Sequence, residues 1–159
     1  MTLEETLQYT ILIAHRDVEF AEQLGSVLRN GGYRVIGCPG PWPLVERCIR
    51  CDVGYCPLTE GADLMIYDPW LTALNREGER YNLALDSALA HPDIPMLLAW
   101  SPADVPDFGT LRGIRNLAPH VHAGAHEPAA LLRQIPGLLA QTPHVEPTAF
   151  RLRTLVTSR

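Results

Sequence analysis

Short, continuous apolar runs alternate along this chain with segments whose apolar residues recur every three to four positions. The run Tyr9-Thr10-Ile11-Leu12-Ile13-Ala14 lacks polar alternation, which predicts a strand buried on both faces. Asp17 is placed to cap a helix reaching Asn30, in which Phe20, Ala21, Leu24, Val27 and Leu28 keep helical spacing. Gly31-Gly32 ends it, and Tyr33-Arg34-Val35-Ile36 reads as a second strand. Pro41 and Pro43 favour helix initiation, so a short helix is expected over Leu44–Cys51, followed by a loop over Asp52–Gly61. Leu64-Met65-Ile66-Tyr67 is a third strand, stopped by Asp68-Pro69. A loop and a helix near Glu77–His91 come next, then a fourth strand over Ile94–Trp100 with Pro95 near its start. A helix over Phe108–Leu117, a short strand Val121–Ala123 and a last helix Pro128–Ala140 complete the pattern.

Five strands alternating with helices predict a parallel sheet covered on both faces. Right-handed crossovers leave few topologies. The expected fold is α/β: a flavodoxin-like three-layer sandwich with a five-stranded parallel sheet of order 2-1-3-4-5. Any site then lies beyond the carboxyl ends of the strands. One domain is expected over residues 1–143. Residues 144–159 read as a solvated or dimer-contacting tail that carries Arg151, Arg153 and Arg159.

Composition narrows the function classes. A hydrophobic content of 47% with 19% charged residues fits a packed globule. The net charge of -5 argues against nucleic acid, whose phosphates require a concentrated basic surface. No apolar run approaches the roughly 20 residues needed to span a bilayer, and the start of the chain is acidic, so a cytoplasmic protein is expected. All 13 basic residues are arginine.

Three segments resemble the receiver domains of bacterial response regulators. Ile11-Leu12-Ile13-Ala14-His15-Arg16-Asp17 is similar to their first strand and its acidic turn. Ala62-Asp63-Leu64-Met65-Ile66-Tyr67-Asp68 is similar to the third strand, which ends in the phosphoacceptor aspartate; Ile94-Pro95-Met96-Leu97-Leu98 is similar to the fourth. The resemblance implies a signalling domain of two-component phosphorelays, with Asp68 at the phosphoacceptor position. It also implies a pocket formed by His15, Arg16, Asp17, Ser101 and Gly124. The chain departs from that pattern where the chemistry is done. Receivers hold magnesium with two acidic residues after strand one, and those positions are His15 and Arg16 here. Trp100 aligns with the hydroxyl residue that ends strand four, with Ser101 next. Gly124 aligns with the lysine that ends strand five.

Phosphoryl transfer to a carboxylate brings two anions together, so it depends on charge neutralisation by metal and cation. Magnesium prefers one or two carboxylates, and Asp68 beside Arg16 and His15 is a poor magnesium site. Arg16 is instead expected to pair with Asp68 directly. The expectation is a degenerate, pseudo-receiver-like domain that is not an enzyme. It is expected to work by binding another signalling protein or itself, through a face with Leu111, Ile114, Leu117 and the last helix.

The most distinctive local feature lies outside that pattern. Cys38, Cys48, Cys51 and Cys56 fall within 19 residues of one another. In the absence of an export signal, thiols or metal ligands are favoured over structural disulfides. Cys48, Cys51 and Cys56 are expected to cluster, with Cys38 the outlier. This supports an alternative function: a thiol- or metal-dependent sensor binding zinc or an iron–sulfur cluster, with Cys38 as a possible fourth ligand. His15, His120, His122 and His126 fall near predicted strand ends, but their spacing matches no metal or catalytic motif.

Overall fold

A computed structural model describes residues 2, 8–41, 46–49, 55–124 and 126–141. The elements in chain order are β1 (Thr10–Ala14), α1 (Val18–Asn30), β2 (Arg34–Cys38), α2 (Pro57–Glu60), β3 (Leu64–Tyr67), β4 (Thr72–Leu74), β5 (Arg80–Asn82), α3 (Leu83–Ala90), β6 (Met96–Leu98), α4 (Phe108–Leu117), β7 (Val121–Ala123) and α5 (Pro128–Ala140). β2, β1, β3, β6 and β7 form a parallel sheet in that spatial order. This is the expected 2-1-3-4-5 topology, because β4 and β5 pair separately as an antiparallel ribbon.

Period-two alternation divides each central strand between two apolar layers. Ile11, Ile13, Leu64, Ile66 and Leu97 face Phe20, Leu24 and Leu28 of α1 and Leu131, Ile135 and Leu139 of α5. Leu12, Ala14, Met65, Tyr67, Met96 and Leu98 face the other way, onto Ala84 and Ala88 of α3 and Leu111 and Ile114 of α4. Both sides of the central strands are therefore dry, which explains their uninterrupted apolar runs. Asp17 caps α1 by accepting from the Phe20 amide at 3.0 Å, and Gly32, at φ 92, supplies the left-handed turn after it.

Several boundaries differ from the sequence expectation for identifiable reasons. The loop and helix expected near Glu77–His91 are a hairpin followed by a shorter helix. Gly78 takes φ 78 in the hairpin turn, where the Glu79 amide donates to Asn75 Oδ1 at 2.8 Å. Asn82 then starts α3 by accepting from the Leu85 amide at 2.9 Å, so the helix cannot begin earlier. β2 extends to Cys38, beyond the expected end at Ile36, because Ile13 and Ala14 pair with Gly37 and Cys38. β6 covers only the middle of the expected Ile94–Trp100 strand.

Much of the helix expected over Leu44–Cys51 lies outside the described residues. Within it, Glu46 adopts φ 50, and Arg47 and Cys48 are not helical. The expected loop Asp52–Gly61 contains the one-turn α2, with Pro57 in its first turn. The tail at 144–159 and Cys51 also lie outside the described residues.

Candidate functional site

The parallel sheet places the turn after β1, the end of β3, the β6–α4 segment and the end of β7 along one edge. Asp68 sits there, immediately after β3, and is fully buried. A carboxylate with no access to water requires partners for both oxygens. Oδ2 accepts from the Arg16 backbone amide at 3.1 Å and from Arg16 Nε at 2.5 Å. Oδ1 accepts from the Trp70 amide at 2.9 Å and more distantly from Arg16 Nη2 at 3.4 Å. Arg16 thus caps the carboxylate with its own backbone and side chain. Partial burial works against the guanidinium's charge, but the hydrogen bond and charge of Asp68 prevail and raise its pKa.

The same guanidinium reaches Asp104, on the β6–α4 segment, with Nη2 3.2 Å from Oδ1. It also lies over the Trp70 ring, with Cζ 5.8 Å from the ring centre. Trp70 meets Trp100 edge-on at 6.0 Å, and Trp100 packs against His126 at 5.7 Å. An aromatic row therefore runs along this edge of the sheet. Trp70 Nε1 is buried without a hydrogen-bond partner.

His15 is buried and held by two opposed contacts. Its Nε2 lies 3.2 Å from the Ala99 carbonyl, and its Nδ1 accepts from the Asp17 amide at 3.0 Å. Only the neutral ring protonated on Nε2 satisfies both. Burial pushes the His15 pKa down, outweighing the upward pull of Asp68, 3.9 Å away. Asp17 serves as the α1 cap. Its pKa is lowered first by the Phe20 amide and then by a hydrogen bond with Ser101.

Gly124 is closed to any side chain. A Cβ built there would lie 2.6 Å from Leu131 Cδ2 and 2.8 Å from the Leu98 carbonyl oxygen. The second contact is with backbone and cannot be relieved by a rotamer change. The Gly124 amide donates to that same carbonyl at 2.7 Å, which fixes the close approach.

The five pocket residues foreseen in the sequence thus lie at one edge of the sheet with Asp68. Asp104 and Trp70 were not foreseen as participants. Their signals were faint: Asp104 lies three residues after Ser101, as in a side-chain-capped turn, and Trp70 lies two after Asp68.

The expected cluster of Cys48, Cys51 and Cys56, with Cys38 as the outlier, lies partly outside the described residues, since Cys51 is not among them. Cys38 stands at the end of β2. Burial raises its pKa first, opposed by the Gly40 amide at 3.4 Å, and the thiols of Cys56 and Cys48 act on it as well. Cys38, Cys48 and Cys56 form no disulfide with one another. Pairing of β2 as far as Cys38 carries that residue onto the apolar layer that also receives Cys48. Among the described residues, no group of three His, Cys, Asp or Glu side chains is placed to hold a metal ion. Nor do the histidines converge: His122 and His126 are exposed, and His15 is buried beside Ala99.

Solved structures share this architecture. A CheY-like response regulator receiver domain from Methanospirillum hungatei matches 84% of this chain and 94% of its own, at 14% identity and a TM-score of 0.58. A response regulator from Chloroflexus aurantiacus matches 84% and 98%, at 22% identity and a TM-score of 0.55. The chain has the fold of a response-regulator receiver domain. A pilus assembly-related protein from Burkholderia pseudomallei is also similar, over 87% of this chain and 95% of its own, at 23% identity and a TM-score of 0.55. No family model and no curated protein matches the chain. Receivers bind magnesium at this edge, but the residues here do not fit the ion: both Asp68 oxygens are engaged by Arg16, which also occupies Asp104.

Two outcomes follow from this geometry. Arg16→Ala leaves the Asp68 charge buried with backbone donors alone. It should destabilise the fold by about 2 kcal/mol, well beyond an exposed arginine control, with Asp68→Asn substantially restoring the double variant. Urea unfolding measures this, and equal losses for Arg16→Ala and the control would refute it.

The second concerns His15, whose folded pKa lies below its ordinary value of 6.5. The unfolded chain takes up this proton first as pH falls. The stability contributed by neutral His15 is therefore complete above pH 6.5 and is lost progressively as pH falls below it, towards the lowered folded value. Unfolding midpoints between roughly pH 8 and pH 5 should show a decline that His15→Gln flattens. Parallel curves for the two proteins would count against this assignment.

Proposed function

We propose that this chain is a receiver-like signalling domain that acts by binding another signalling protein or a second copy of itself, not by phosphoryl transfer at Asp68. The observation that carries this reading is the Arg16 guanidinium on the Asp68 carboxylate. A phosphoacceptor needs a free carboxylate oxygen to attack phosphorus, a metal to neutralise the incoming anion and a cation to receive the product charge. Here the cation is covalently fixed and already sits on the nucleophile. The backbone at Gly124 also excludes a side chain from the position where a receiver presents lysine. The Arg16–Asp68 pair resembles a receiver held permanently in one state.

The binding face we infer centres on α4, with one revision of the sequence expectation. Leu111 and Ile114 are only 7% and 2% exposed and belong to the core, because their spacing turns both towards β7. Phe108, 66% exposed, instead shares a stripe with exposed Arg112 and Arg115 at i, i+4 and i+7. Val105 stands 89% exposed just before it, and Leu117 is exposed further along the helix. An aromatic ring followed by two arginines along one helix face suits an apolar segment carrying acidic residues. The net charge of -5 weighs against nucleic acid, and no helix among the described residues is long and apolar enough to cross a membrane.

The second reading, a thiol- or metal-dependent sensor using Cys38, Cys48, Cys51 and Cys56, draws on the packing of Cys38 and Cys48 against one apolar layer. Zinc or iron bound stoichiometrically to the reduced protein, and lost on Cys56→Ser, would favour it over the binding reading.

The primary reading is tested by incubating the protein with acetyl phosphate or phosphoramidate and magnesium, then measuring intact mass. No adduct is expected. A phosphate adduct that vanishes in Asp68→Asn would overturn the proposal.

A further inference from the structure

Two successive residues after β1 reach across to the β6–α4 segment. His15 contacts the Ala99 carbonyl through Nε2 at 3.2 Å. Arg16 contacts Asp104 at 3.2 Å while remaining on Asp68. The segment they reach is itself a closed turn. The Ser101 amide donates to Asp104 Oδ2 at 3.1 Å, the Asp104 amide to the Ser101 carbonyl at 3.0 Å, and the Ala103 amide to Ser101 Oγ at 3.3 Å. Ser101 is 4% exposed, whereas Val105, one residue past the turn, is 89% exposed.

Asp104 is the element that joins the two halves. One of its oxygens closes the turn, and the other takes the Arg16 guanidinium. Without Arg16 the turn would retain its local bonds but lose its tie to the buried end of β3. A short turn held only by its own polar contacts opens readily in water, whereas one tied to a buried charge pair does not.

We propose that His15-Arg16 is a clamp on the Ser101–Asp104 turn, with Arg16 the strut between Asp68 and Asp104, and that the clamp sets the position of Val105 and Phe108. The residue that occludes the phosphoacceptor position thereby also fixes the start of the α4 face. The Arg16 side chain is 45% exposed, so an acidic group on a partner could draw it from Asp104 and release the turn. That last consequence rests on the binding role proposed above; the clamp itself does not.

Hydrogen–deuterium exchange of the full chain tests the clamp, read at the amides of positions 101, 103 and 104. Asp104→Asn keeps an acceptor for the Ser101 amide but removes the charge that holds Arg16. Arg16→Gln removes the strut. Both variants should speed exchange at these three amides about tenfold, with β1, β3 and α5 unchanged. Unchanged exchange in both variants overturns the clamp. A rise in one variant alone overturns the strut, because the two residues would then act separately. If Arg16→Gln loosens the whole fold, seen in the β3 amides, Asp104→Asn alone decides: unchanged exchange overturns the clamp, and faster exchange confined to the turn supports it. Phosphorylation at Asp68 would sink the proposed function and leave this measurement intact.

Discussion

A carboxylate buried at the end of a central strand is the constraint on which the rest of this edge depends. Asp68 cannot shed its charge into water, and water does not reach it. Arg16 answers with a backbone amide and a guanidinium, and Trp70 answers with a second amide. Each answer fixes a loop. The β1–α1 turn is held by Arg16, and the segment after β3 curls back so that the Trp70 amide meets Oδ1. Trp70 is then under the guanidinium and against Trp100. One buried charge therefore organises three of the five connections at the carboxyl edge of the sheet, including the β6–α4 turn through Asp104.

The receiver fold accounts for a carboxylate at this point, and the residues around it depart from the receiver pattern. In a phosphoaccepting site the metal ion is exchangeable, which lets the site exist in two states. Arg16 is part of the chain and cannot leave. Gly124 reinforces the difference, since β6 and α5 close on it to distances that no side chain survives. Trp100 does the same at the end of β6 by packing an indole where receivers carry a small hydroxyl residue. These departures underlie the binding role proposed above, which requires only that the domain present a defined surface.

The fold was largely legible in the chain because its signals are local. Continuous apolar runs marked β1 and β3, and helical spacing with Asp17 and Gly31-Gly32 marked α1. The helix spans of α4 and α5 were readable from their own periodicity. The hairpin β4–β5 was missed because its strands are three residues each and carry no clear alternation. The inward turn of Leu111 and Ile114 was also missed, although their helical spacing placed them on one face. Which face of α4 meets the sheet depends on β7 and α3, not on the helix alone.

The sequence by itself determined that Asp68 follows a buried strand and that no lysine exists anywhere in the chain, facts that follow from residue identity and local pattern. Its resemblance to receivers added that Arg16 and His15 stand where those domains carry acidic residues. Only the tertiary structure decided that Arg16 reaches both Asp68 and Asp104, 52 and 88 positions away in the chain. The same holds for Cys38, brought by strand pairing onto the apolar layer where Cys48 also packs, and for Gly124, shut by the Leu98 carbonyl. Such contacts join elements distant in sequence. Their geometry is set by how the parallel strands are ordered and registered, which no local pattern encodes.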